Sequence, residues 1–284
     1  MSRPLYEGVV HWLQAEPTVH AAALFGSKAA QSPVTQADDW SDYDFHVILS
    51  NPGLVRQLDW SSLIPGQKFL LQTLRPASGG VQKLTVVFAS GQIDLVLVPL
   101  MDFRLAKWGH TLRLQRHSLR LRTALNELKT CLQNGYRMVK GEHSWGGFYA
   151  AVQADYAGVR LSDSELANLA ASALVDSIWI RQKLRRTEIR AAQHLLHRSL
   201  VETNFRLLRE LRLRQGQPLP SFGLGRHVEQ LLTADELSWV TVDAGCNRAD
   251  LLASTQMAVD GLVALMGQLL PDWRKPELPA DDLN

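Results

Sequence analysis

Along the first hundred residues, apolar and polar positions follow two different periods. From Leu5 to Leu13 the apolar residues recur at three- to four-residue spacing, which predicts an amphipathic helix. The run AAALFGS (Ala21 to Ser27) is short, apolar and closed by glycine, as expected for a buried strand ending at a turn. After a polar loop, DYDFHVILS (Asp42 to Ser50) is rich in strand-forming residues. Residues Leu54 to Leu63 suit a helix, and KFLLQTL, KLTVVFA and QIDLVLVP read as three further strands. Pro99, which has no backbone donor, ends the last of them. The pattern predicts a mixed α/β sheet with flanking helices.

Near Leu119 the character changes, and long helical patterns replace strand patterns. One begins at Ser162, with Glu165 three residues on, the signature of a capping box. A second runs from Glu188 towards Gly216, and a third lies within Asp250 to Leu270. The expected architecture is therefore an α/β domain over residues 1–130, a helical bundle over 131–275 and a polar tail over 276–284.

Composition alters this picture little. Of the 284 residues, 46% are hydrophobic and 20% charged, as in ordinary globular proteins, and the net charge of +2 is too small to imply a nucleic-acid partner. Its distribution is uneven. Arg104, Lys107, Arg113, Arg116, Arg120 and Arg122 form a stretch without an acid, and Arg181, Lys183, Arg185, Arg186 and Arg190 form a second basic cluster. Such clusters are usually solvated helix faces, but they also suit a nucleoside triphosphate or RNA. Cys131 and Cys246 match no zinc spacing and are too few for a disulfide framework, which points to a reducing compartment. The N-terminal pattern is not that of a secretory signal, and no apolar run is expected to approach the roughly 18 residues needed to cross a bilayer. The expected location is the cytoplasm, with no membrane partner.

Three features carry candidate chemistry. Gly26-Ser27 closes one strand, and its exposed amides and hydroxyl suit phosphate. Asp42 and Asp44, two apart at the start of the next strand, point to the same face with roots about 7 Å apart. They can converge on a hard cation such as magnesium, which takes carboxylates together with substrate phosphates. Asp94 interrupts an apolar strand, so its carboxylate needs a cation, a metal or several donors; a plain salt bridge to an arginine is the alternative. Together these suit nucleotidyl transfer, with the third carboxylate either completing a metal site or taking the acceptor's proton.

The runs LFGSKA, DDWSDYDFHVIL and QIDLVLVPL resemble the nucleotidyltransferase superfamily of polymerase-β type, and within it the streptomycin and related aminoglycoside adenylyltransferases. The resemblance is clear over Leu24 to Leu100. Beyond that it rests on WIRQKLRRTE (Trp179 to Glu188), similar to a family helix whose lysine faces the triphosphate. It implies that Gly26, Ser27 and Lys28 hold nucleotide phosphates, with Lys28 standing where arginine is more usual. Lys183 would be a further phosphate ligand, and Asp42, Asp44 and Asp94 the catalytic, metal-binding carboxylates. It implies Mg2+ as cofactor, ATP or another nucleoside triphosphate as co-substrate, and a small-molecule hydroxyl acceptor of aminoglycoside type, hence antibiotic resistance. Transfer to protein or RNA, and a non-catalytic antitoxin-like role, are the competing readings. The acceptor, the nucleotide preference and the oligomeric state stay open.

Four tryptophans, Trp108, Trp145, Trp179 and Trp239, are expected in core or interdomain packing. In the helical half, Asp176 and Glu188 are candidates to face a cationic acceptor.

Overall fold

The computed structural model describes residues 3–29, 37–38, 41–77, 80–155, 160–217 and 228–277. Two compact units are present, Met1–Ala157 and Gly158–Asn284. The expected boundary after residue 130 falls inside a helix of the first unit and is corrected by some 27 positions.

The first unit opens with α1 (Arg3–Ala15), whose Leu5, Val9, Trp12 and Leu13 are all buried along one face. Strands β1 (Val19–Phe25) and β2 (Tyr43–Leu49) follow. The helix expected over Leu54 to Leu63 is instead two single turns, α2 (Pro52–Val55) and α3 (Trp60–Leu63). Asn51 caps the first and Asp59 the second, so Asp59 interrupts the pattern by bonding to the Ser61 amide. Strands β3 (Phe69–Pro76), β4 (Gln82–Phe88) and β5 (Gly91–Pro99) form an antiparallel meander. Then come α4 (Leu100–Thr111), α5 (Leu119–Leu132), β6 (Arg137–Lys140) and α6 (Glu142–Ala154).

The sheet order is β3-β4-β5-β2-β1-β6, with β2 and β5 parallel and every other pair antiparallel. The central strands are covered on both faces, which explains why β5 reads as one apolar run. On one face Ala22, Leu24, Phe45, Val47, Ile93 and Leu95 pack with α1 and with Trp60. On the other, Ala21, Ala23, Ile48 and Val98 pack with Phe103 of α4, Leu125 and Leu132 of α5, and Phe148, Tyr149 and Val152 of α6. These three helices belong to the sheet, which moves the boundary from 130 to 157. β6 went unforeseen because RMVK is too short to show a period.

The second unit is helical among its described residues: α7 (Asp163–Arg185), α8 (Ile189–Leu195), a π-helical segment (Leu196–Val201), α9 (Glu202–Arg214), α10 (Val228–Leu231), α11 (Ala234–Val240) and α12 (Arg248–Leu269). The Ser162–Glu165 capping box is present at the start of α7. Past the end of α9, Gly216 adopts φ +68° as a left-handed stop. Leu174, Ile180, Leu200, Leu207, Leu262 and Met266 anchor one core. The expectation about membrane-crossing stretches needs one correction, because α12 is long and apolar enough by length and composition. In this unit it is the core helix, with Leu251, Ala258, Val259, Leu262, Leu265 and Leu269 buried. Of the tail, Pro276 and Glu277 are described, and 278–284 lie outside the described residues.

Candidate active site

The site forms where β2 and β5 run side by side. Their parallel register sets Asp44 opposite Asp94. Both point to the sheet face covered by α4, α5 and α6, since they alternate with the inward residues of the other face. Asp42, two residues before Asp44, joins them: one carboxylate oxygen from each of Asp42, Asp44 and Asp94 lies within 4.8 Å of the others. Asp42 and Asp44 are half-buried, and Asp94 is 2% exposed.

Gly26 follows β1, whose Phe25 pairs with Asp44. Its φ of +71° is left-handed, and a Cβ there would lie 2.6 Å from Asp44 Oδ2. Only glycine therefore leaves room for this carboxylate. The adjacent Ser27 Oγ is buried and makes no hydrogen bond among the described residues. Lys28 donates from Nζ to the Asp38 carbonyl at 2.8 Å and lies 5.2 Å from the centroid of the Tyr43 ring. Ser41 Oγ donates to the Asp38 carboxylate at 2.6 Å, so both contacts converge on Asp38.

Asp94 has the partner its burial requires, a lysine rather than the arginine considered as the plain alternative. Lys83 Nζ stands 2.5 Å from Asp94 Oδ2, and Gln92 Nε2 donates to Oδ1 at 3.2 Å. Burial works against the Lys83 charge. The hydrogen bond and charge of Asp94, backed by Asp44 and Asp42, outweigh it and hold the Lys83 pKa above the ordinary lysine value. The Thr85 hydroxyl, on the residue opposite Asp94 in the ladder, is buried without a hydrogen-bond partner among the described residues.

Neither Lys83 nor Thr85 is legible as a site residue in KLTVVFA, because their place depends on the β4–β5 register. The available signal is indirect: a buried acid in one strand calls for a cation on a neighbour. Beneath Asp44, the buried His46 Nδ1 shares a hydrogen bond of 2.6 Å with the Tyr149 hydroxyl. Cys131 is no nucleophile here; burial, with the charges of Asp44 and Glu127, pushes its thiol up to about 11.

Lys183 lies in the last turn of α7 and donates to the Glu188 carboxylate. Asp176 accepts from the Ser199 hydroxyl. Trp145 is buried as expected, but Trp108 and Trp179 are 64% and 52% exposed, which corrects their assignment to packing.

No protein-family model matches the sequence, and no curated protein matches it. Among solved structures, the chain is similar to an aminoglycoside 6-adenyltransferase from Bacillus subtilis, at 12% identity over 96% of this chain and 91% of that one, with a TM-score of 0.35. It is also similar to a nucleotidyltransferase-like protein from Exiguobacterium sibiricum, at 12% identity over 97% and 80%, with a TM-score of 0.33. Likenesses this distant carry no chemistry across, and the case for the site stands on its own geometry.

Proposed function

We propose that the protein is a magnesium-dependent nucleotidyltransferase that moves a nucleoside monophosphate, AMP from ATP, to a hydroxyl of an aminoglycoside-like small molecule. The observation that carries this reading is the convergence of Asp42, Asp44 and Asp94 beside Gly26-Ser27.

The residues suit the cofactor. Asp42 and Asp44 offer hard oxygen ligands at the start of β2, and the Ser27 hydroxyl, next to Gly26, is buried with no hydrogen-bond partner among the described residues. Magnesium, when bound, would neutralise triphosphate charge and favour departure of pyrophosphate. Gly26 lets the backbone approach the nucleotide while leaving Asp44 in place, and Ser27 supplies a hydroxyl for a phosphate oxygen. The acceptor oxygen forms a bond to the α-phosphorus as the bond to the β-phosphate oxygen breaks. In this reading Asp94, the third carboxylate, takes the proton the acceptor hydroxyl loses. Positioning and charge do most of the work in such a reaction. Lys28 and Lys183 are proposed as cationic phosphate ligands on the sequence resemblance, and the helical unit as the acceptor-binding part.

The test is pyrophosphate release from Mg-ATP and Mg-GTP against streptomycin, spectinomycin, other aminoglycosides, lincosamides and bulk RNA. Turnover with one acceptor class is expected, reduced about a thousandfold or more by Asp44→Asn. Turnover unaffected by Asp44→Asn, or no nucleotide binding at all, would sink the reading.

A further inference from the structure

The carboxylate cluster already contains a cation of its own. Lys83 comes from β4, where it pairs with Val96, two positions along from the Thr85–Asp94 pair. This diagonal placement on one sheet face is within reach of a long side chain, and Lys83 Nζ closes to 2.5 Å from Asp94 Oδ2. Gln92 holds the other oxygen at 3.2 Å. Both oxygens of Asp94 are thus engaged by the protein, and with 2% exposure the residue has little freedom to turn elsewhere.

Charge counting shows what this arrangement asks of a ligand. Asp42, Asp44 and Asp94, when ionised, carry three negative charges within 4.8 Å, and Lys83 returns one. Lys83 thus offsets at Asp94 the charge that a cation there would otherwise offset. In sites built for two ions about 3.5–4 Å apart, a carboxylate such as Asp94 would be available to the second ion. Here an ammonium group stands against it.

We propose that Lys83 takes the place of a second metal ion, so that the protein holds one divalent cation, on Asp42 and Asp44, and keeps Asp94 for itself. The inference rests on the nucleotidyltransferase reading of the same carboxylates and refines it. Asp94 is then a base oriented by Lys83 and Gln92, and Lys83 a positioning residue that touches neither substrate nor metal.

The experiment counts ions directly. The full-length chain is titrated with Mn2+ alone, and free Mn2+ is read by electron paramagnetic resonance. Wild type is expected to bind one Mn2+ per chain, and Lys83→Arg likewise one. Lys83→Met, which keeps the length and removes the charge, is expected to bind two, the first about tenfold more tightly than wild type. A purely structural ion pair would lower the stability of Lys83→Met without altering the count. Two ions on wild type, or one on Lys83→Met, would overturn the proposal and leave the nucleotidyltransferase reading standing. No binding by any of the three proteins would remove the metal reading of the acids and the inference with it. If Lys83→Met does not fold, the counts for wild type and Lys83→Arg decide: one each supports the proposal, and two on either overturns it.

Discussion

Two residues along β2 from Asp44, His46 has a ring buried among Phe103 and Tyr149. Burial raises the Tyr149 hydroxyl well above the ordinary tyrosine range, so it stays protonated in its hydrogen bond with the neutral imidazole. Burial likewise lowers the His46 pKa from 6.5 to about 4. The folded state therefore resists a proton that the unfolded chain accepts. This contribution to stability is complete above about pH 6.5 and is lost as pH falls towards 4, at about 1.4 kcal/mol per pH unit. Denaturant melts at pH 7.5 and 5.5 should show wild type losing about 1.4 kcal/mol more than His46→Gln. Equal losses would mean the ring is not held neutral.

The same scale shows what a sequence can disclose about a site. Asp44 and Asp94 were legible because an acid inside an apolar strand conflicts with its surroundings, and the conflict is local. Lys83 was not, because a lysine at the start of a strand conflicts with nothing until the register brings it to Asp94. Ser27 and Gly26 were legible as a turn, but the contact between Gly26 and Asp44 required the β1–β2 pairing.

At the scale of elements, α11 is too short to stand by itself. Seven residues are too few for a stable isolated helix. Thr233 and Glu236 close a capping box at its start. Arg212 of α9 places Nη1 2.7 Å from both oxygens of Glu236, with only 7% and 10% of the two side chains exposed. Removing the arginine strands a buried carboxylate, so Arg212→Ala should cost about 3–5 kcal/mol in urea unfolding. The pair Arg212→Met with Glu236→Leu should cost far less, because no charge is left unpaired. If the double change proves as costly as the single one, packing rather than charge governs this joint.

Long helices such as α7 and α12 announced themselves by period and caps, whereas α2, α3 and β6 are each four residues long and gave no period to read. For α5 and α6 the change of character near Leu119 pointed to helices but not to their partner, and α4 was not foreseen. An amphipathic face shows that something is covered, and only the fold shows that it is the sheet.

For the whole molecule, the division into units follows the cores. Leu166, Leu174, Ile180, Leu207, Leu262 and Met266 belong to a cluster that draws its residues from the helical unit alone, while the two sheet faces are closed by helices of the first. A fragment of residues 158–284 is therefore expected to fold alone, with a helical far-ultraviolet dichroism spectrum and a cooperative thermal melt. A broad, non-cooperative melt would show that its core is insufficient. The polymerase-β-like reading from the sequence anticipated a sheet followed by helices, and the structure has that order, with the junction displaced by the helices the sheet requires.

The parallel pairing of β2 with β5 also sets an order of events in folding. The β3–β4–β5 meander joins neighbours in sequence and can zip up locally, but Asp44 meets Asp94 only when a loop of about fifty positions closes. The like charges of the cluster come together at that late closure. A cation bound there acts on a contact absent from the earlier stages, and so slows the opening of the native sheet while leaving the speed of its assembly almost unchanged.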